Sequence, residues 1–219
     1  MKKEILVKAD KLTKIFNNRP VIDELSLNFA RGERISLSGP NGAGKTTFMR
    51  CMLGQYVFEG NLEVNGKDPR KFHQEIMENV GFVPQVPPPL KMTIRELLDF
   101  FEKLTGVHND QFTGIAEELG LEIKPNLKKP FYKLSGGMKQ KLLVAFALGR
   151  KPDILLMDEP AANLDPAARA IFFRKLHEYN KDALMILCSH RMSEISTLVT
   201  RAIEMDLGKI TMDERVENI

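Results

Sequence analysis

The residues best equipped for chemistry sit in a few short runs. The first, GPNGAGKTT, fits the pattern GxxxxGK[ST] at Gly39, Gly44, Lys45 and Thr46. Glycines let successive backbone N–H groups close around an anion, the Lys45 ammonium neutralises phosphate oxygens, and the Thr46 hydroxyl is a ligand for Mg²⁺. Pro40, Asn41, Gly42, Ala43 and Thr47 complete the loop that would surround the phosphates. A second run, ILLMDEP, carries the apolar residues Ile154 to Met157 into Asp158 and Glu159. This reads as a buried strand delivering two carboxylates at its C-terminal end, the edge where open parallel sheets bind ligands. Asp158 would hold Mg²⁺ and Glu159 would orient and polarise an attacking water. Alone, an Asp-Glu pair reads as a solvated strand end; behind a phosphate loop it does not. His190 closes MILCSH and Gln85 closes GFVPQ, each a polar group at a strand tip on the same expected edge.

A third run poses a question. In LSGGMKQK, residues 134–141, the hydroxyl of Ser135 and the adjacent Gly136 and Gly137 precede a long stretch of helix formers. That is a helix N-terminus with N–H groups able to grip an anion. The chain therefore carries two phosphate grips.

The elements that must position these residues follow from periodicity. ELSLNF (24–29) alternates as a strand with Leu25, Leu27 and Phe29 on one face. A turn at Gly32 leads to a short strand through Ile35 and Leu37, then the glycine-rich loop, then a helix carrying Phe48, Met49, Met52 and Leu53. Strand, glycine-rich loop and helix in this order are the setting a phosphate loop requires. NLEVNG (61–66) reads as a hairpin strand ending at Asn65-Gly66, and GFVPQ (81–85) as a buried strand. TIRELLDFFEKLTG (93–106) reads as a helix with a capping box from Thr93 to Glu96 and a closing Gly106. From there to about residue 150 the pattern is helical. DILLM (153–157) and ALMIL (183–187) return to buried strand, joined by a helix capped by Asp165 with Pro166 in its first turn. IEMDLGKI reads as a last hairpin. Strands alternating with helices predict an α/β fold with a mostly parallel sheet, into which residues 88–150 are inserted.

Bulk properties narrow the classes. With 219 residues, 43% hydrophobic and 28% charged, the chain is long enough for a substantial core. A net charge of +3, with basic residues scattered, argues against nucleic acid as a partner. The start, MKKEILVKADK, lacks the apolar centre of a signal peptide, and the longest apolar stretch, LLVAFALG, is far short of the ~20 residues that span a bilayer. Cys51 and Cys188, far apart within helix and strand patterns, fit reduced thiols in a cytoplasmic protein.

With these residues placed, the chain resembles the nucleotide-binding subunit of ATP-binding cassette (ABC) transporters over nearly its full length. GPNGAGKT looks like the Walker A loop, Gln85 the Q-loop, LSGGM the signature, ILLMDEP the Walker B strand, Asn163-Leu164-Asp165 the D-loop and His190 the switch histidine. The resemblance implies one ABC ATPase domain over 1–219, of P-loop NTPase fold. Its nucleotide-binding core, with an N-terminal antiparallel β subdomain, would span 1–87 and 151–219, with a helical signature subdomain at 88–150. It implies binding and hydrolysis of ATP with Mg²⁺, held by Thr46, Gln85 and Asp158. Glu159, His190, Gln85 and Lys45 would be catalytic.

The resemblance also accounts for the second grip. Two cassettes of this family pack head to tail, so that the signature of one closes over the ATP on the Walker A loop of the other. Ser135, Gly136 and Gly137 would cap the partner's γ-phosphate, and Asp165 would cross the interface or simply cap its own helix. One cassette in the chain implies a second ABC ATPase subunit, most simply a homodimer. By the same resemblance Phe16, in KLTKIFNN, either stacks on adenine or belongs to the core. An integral membrane permease at the cytoplasmic face of the membrane is the implied partner, and the segment 92–106 resembles exporter-type (ABC-2-like) cassettes. A cassette driving a membrane complex mechanically, or regulating it, is the alternative. Met138 stands where the signature usually has glutamine, and activity is expected to survive because the phosphate contacts would come from the serine and the glycine backbone; Ala161-Ala162 stands where small polar residues are more common, which bears on fine tuning and not on the reaction.

Overall fold

The computed structural model describes residues 3–189 and 192–216. In chain order the elements are β1 (Ile5–Phe16), β2 (Arg19–Ala30), β3 (Arg34–Ser38), α1 (Lys45–Met52), β4 (Glu59–Val64), α2 (His73–Asn79), β5 (Val80–Val83), α3 (Ile94–Thr105) and α4 (Asn109–Glu118). Two 3-10 turns, Lys124–Asn126 and Phe131–Lys133, lead to α5 (Gly136–Gly149). Then come β6 (Ile154–Asp158), α6 (Pro166–Glu178), β7 (Leu184–Cys188), α7 (Met192–Ile195), β8 (Arg201–Asp206) and β9 (Lys209–Arg215). The chain divides into two compact units: Met1–Val80, Asp153–Leu156 and Lys181–Ile219 form the first, Gly81–Pro152 and Met157–Asn180 the second.

The first unit holds an antiparallel sheet of order β2-β1-β4. β1 and β2 join through Asn17-Asn18, whose φ values of 49° and 60° give the left-handed pair that a tight hairpin turn needs. Leu25, Leu27 and Phe29 point inward as their alternation predicts. β2 nonetheless extends well beyond ELSLNF, because it pairs with β1, a strand whose polar residues mask its periodicity. β4 is a correction to the hairpin reading of NLEVNG: it pairs with β1, and the Asn65-Gly66 turn closes only a single bridge between Val64 and Lys67. The pairing is long-range, so no local turn signal reports it.

A second sheet, of order β5-β6-β7-β3-β8-β9, belongs to this unit through Val80 of β5, Ile154–Leu156 of β6 and the four other strands. β3 lies between β7 and β8 and runs parallel to both, while β9 returns antiparallel as the last hairpin. Central placement explains RISLS: a strand buried on both faces cannot alternate, and Ile35, Ser36 and Leu37 are at most 1% exposed. Phe48 of α1 packs against Phe29 of β2, ring centroids 6.2 Å apart, which fixes the helix that follows the glycine-rich loop.

The second unit is built on α3, α4 and α5. α3 begins with the expected capping box, in which Glu96 N–H donates to Thr93 Oγ1 and the Glu96 carboxylate accepts from Thr93 N–H, and it ends at Gly106 with φ 70°. Phe101 stacks flat on Phe146 at 4.0 Å between centroids, and Phe112 meets Phe146 edge-on. Around these rings Leu97, Leu98, Leu121, Ile123, Phe131 and Leu142 form a closed apolar core. α5 is thereby held as a rigid rod, with its N-terminal turn at residues 135–137 outside the core.

Candidate nucleotide-binding site

In the first unit, β3 delivers the chain into the glycine-rich loop at Gly39, whose φ is 134°. A side chain there would collide with the carbonyl oxygen of Met205 on β8, so the position admits only glycine. Two further hydrogen bonds clamp the loop from behind. Gly208 N–H donates to Ala43 O at 3.1 Å, and Asp23 N–H donates to Gly208 O at 3.1 Å, tying the loop to the β8–β9 turn and to β2. The opposite side is open: a Cβ built on Gly42 meets nothing within 4 Å. A cradle of backbone amides rigid behind and open in front suits a triphosphate. Lys45 Nζ donates to Gly39 O at 2.6 Å and Pro40 O at 2.9 Å, so its charge is held within the loop. Thr46 and Thr47 occupy the first turn of α1.

Phe16 ends β1 and is 38% exposed, which removes the core reading. Its ring packs edge-on against Tyr56 at 5.2 Å, and Lys14 Nζ lies 4.5 Å from its centroid. Arg50 of α1 donates to Tyr56 Oη at 2.8 Å, linking this aromatic pair to the helix that begins at Lys45. Lys14, Arg50 and Tyr56 were not legible in the sequence. They are contributed from three separate segments, and nothing local in any of them marks an aromatic cluster.

The second unit carries the remaining predicted residues. Asp158, at the end of β6, is 3% exposed, an anionic oxygen donor of the kind Mg²⁺ takes. Glu159 follows with φ 49°, a left-handed conformation that costs a non-glycine residue about 1–2 kcal/mol and therefore needs external support. A turn follows, closed by Ala162 N–H to Glu159 O at 3.2 Å and Leu164 N–H to Ala161 O at 3.2 Å. Gln85 is exposed just past β5, which ends at Val83, earlier than GFVPQ implied. His190 lies outside the described residues.

The signature turn and the D-loop segment meet in this unit. Ser135 caps α5, its Oγ accepting from Met138 N–H at 3.2 Å, which leaves the hydroxyl hydrogen to donate outward. Gly136 is exposed, while Gly137 lies so close to Asn163 that a Cβ would stand 2.9 Å from the Asn163 carbonyl oxygen. Asp165 caps α6, accepting from Ala168 N–H at 2.9 Å, and also receives Lys141 Nζ at 2.7 Å. The Ala168 amide first, and Lys141 second, hold the Asp165 carboxyl below the usual carboxylate range. Gln140, wholly buried, donates from Nε2 to Pro160 O at 3.0 Å. Both Gln140 and Lys141 lie in the run LSGGMKQK, yet only their partners, 20 or more residues away, reveal what they do. A glutamine among the buried Leu142, Val144 and Ala145 was the one available signal.

Residues 22–162 match the family described as ABC transporter. The chain belongs to that family. Among curated relatives of the ABC transporter chain, a bacitracin transport ATP-binding protein of Bacillus licheniformis is 33% identical over 94% of this chain and 68% of its own length. A phosphate import ATP-binding protein of Enterococcus faecalis is 30% identical over 90% of this chain and 84% of its own. Among solved structures, an ATP-binding subunit of an ABC transporter aligns with TM-score 0.84 at 21% identity, covering 96% of this chain and 90% of that one. A bacterial Atm1-family ABC exporter with ATP bound aligns with TM-score 0.85 at 23% identity, over 98% of this chain and 40% of that one. The ABC chain is therefore an ATP-binding subunit with a P-loop NTPase fold. No helix among the described residues is long and apolar enough to cross a membrane.

Proposed function

We propose that the chain hydrolyses ATP as one of two cassettes that close head to tail around two nucleotides, most simply a homodimer, and that this cycle drives a separate membrane permease at the cytoplasmic face of the membrane. The observation that carries this is the surface position of the Ser135-Gly136 turn: an anion grip at the head of a helix, with Ser135 and Gly136 exposed and Gly137 half-buried behind them. In this reading each chain seats the triphosphate on Gly39–Thr47 and stacks adenine on Phe16. Ser135 and the following amides cap the γ-phosphate on the partner's loop, with Asp165 at the same interface. Mg²⁺, held by Thr46, Asp158 and Gln85, would supply positive charge to the phosphates. Glu159 would take the proton of the attacking water, Lys45 would neutralise the developing phosphate charge, and His190 would contact the γ-phosphate. Closure would need the triphosphate, and loss of the γ-phosphate would release it. The likeness of residues 92–106 to exporter-type cassettes supports export as the direction.

The test is Glu159→Gln. Hydrolysis should fall about 10²–10⁴-fold with ATP binding retained, and the variant should sediment as a dimer with ATP and as a monomer without it. Near-normal turnover, or a monomer in ATP, refutes the proposal.

A further inference from the structure

Gln140 is 0% exposed, and while its Nε2 reaches Pro160 O, its Oε1 has no hydrogen-bond partner. For packing alone this is a poor residue. An apolar side chain of the same shape would fill the space without stranding a buried oxygen. What the amide supplies, and leucine or methionine cannot, is a donor to the Pro160 carbonyl. That carbonyl belongs to the residue after Glu159, whose backbone sits at φ 49°. The turn's own bonds, both 3.2 Å, lie at the long end of the range for N–H donors. A strained backbone persists only where its surroundings hold it. Gln140 supplies such support, from the helix that begins with the signature turn. The close approach of Gly137 to the Asn163 carbonyl ties the same two segments together a few residues further on.

We infer that Gln140 is a positioning residue for hydrolysis. It holds the Glu159 turn in the orientation from which the carboxylate acts, and it couples that turn to the signature helix. A signature turn pressed onto the partner's nucleotide thereby adjusts the glutamate serving the chain's own. The inference rests on the proposed ATPase dimer.

The experiment compares the full chain with Gln140→Leu and Gln140→Glu. Leucine removes the donor and should lower kcat about tenfold, as a small misplacement of a catalytic group does. KM for ATP and affinity for a fluorescent ATP analogue should stay within about twofold. Glutamate should be as impaired when ionised, since a carboxylate facing the Pro160 carbonyl only repels it; once protonated, its O–H can donate. Burial raises the pKa of such a carboxyl, so kcat of Gln140→Glu should recover severalfold relative to the unmodified chain between about pH 8 and about pH 6. An unchanged kcat in Gln140→Leu, or a loss confined to melting temperature and KM, overturns the inference. If the leucine variant does not fold, the glutamate profile decides: a curve parallel to that of the unmodified chain overturns it as well. Full kcat in the Gln140 variants with Glu159→Gln inactive sinks only this role. An unmodified chain without ATPase activity sinks both this role and the proposed function.

Discussion

Replacing Gly137 by alanine should destabilise the free chain, and replacing Gly136 should not. Both residues lie in the first turn of α5, so each gains the same helix propensity from alanine, up to about 1 kcal/mol. Their surroundings differ. A Cβ at 136 would sit 3.8 Å from Asn163 Cγ, ordinary contact with a side chain that can move, whereas at 137 it would sit 2.9 Å from a backbone oxygen. Forcing a methyl against fixed backbone costs about 1–3 kcal/mol. Because the propensity gain cancels between the variants, the gap between them isolates this clash. At about 2–4 °C per kcal/mol for a domain of this size, Gly137→Ala should melt about 2–12 °C below Gly136→Ala. Thermal unfolding followed by circular dichroism without nucleotide measures this, free of any contact the signature makes to ATP. Coincident melts, or a higher Tm for Gly137→Ala, would refute the claim that the signature turn rests on the D-loop segment.

Three further expectations concern other parts of the molecule. Phe16→Ala should weaken ATP binding about 5–150-fold, the worth of one base stacked on an aromatic ring, and leave tripolyphosphate affinity unchanged; equal losses for both ligands would place Phe16 elsewhere. Burial pushes the Cys51 thiol up to about 12, so iodoacetamide at about pH 8 should label it only after denaturation; equal rates in native and denatured chain would contradict the burial. Arg201 grips Asp213 with two bonds of 2.7 Å, and those bonds hold the Asp213 carboxyl below its usual range. A carboxyl lowered on folding stabilises above the unfolded value near about 3.9 and loses that contribution as pH falls through the folded one. Asp213 is partly exposed, so Asp213→Asn should cost about 1 kcal/mol at neutral pH, and its difference from the unmodified chain should close below about pH 3–4; a difference independent of pH would exclude the ion pair as its source.

What the sequence disclosed divides along a physical line. The capping box at Thr93, the Asp165 cap and the strand–loop–helix order around Gly39 are written within a few residues of chain, where turn and cap chemistry is decided. The pairing of β4 with β1 is not legible, because two strands and a helix separate the partners along the chain. The surroundings of Phe16 were unreadable for the same reason: Tyr56 and Arg50 reach it only once α1 has packed on the first sheet. The role of Gln140 is not legible in LSGGMKQK, since an amide inside an apolar helix acquires meaning only from the carbonyl opposite it.

The clamp on the glycine-rich loop has a consequence for biosynthesis. Gly39 and Ala43 are braced by Met205 and Gly208, synthesised more than 160 residues later. A nascent chain emerging from the ribosome therefore exposes its phosphate loop long before the brace exists. Nucleotide should be captured only after that late segment has been released and has folded, so chains broken off earlier would be left without ligand stabilisation and open to proteolysis.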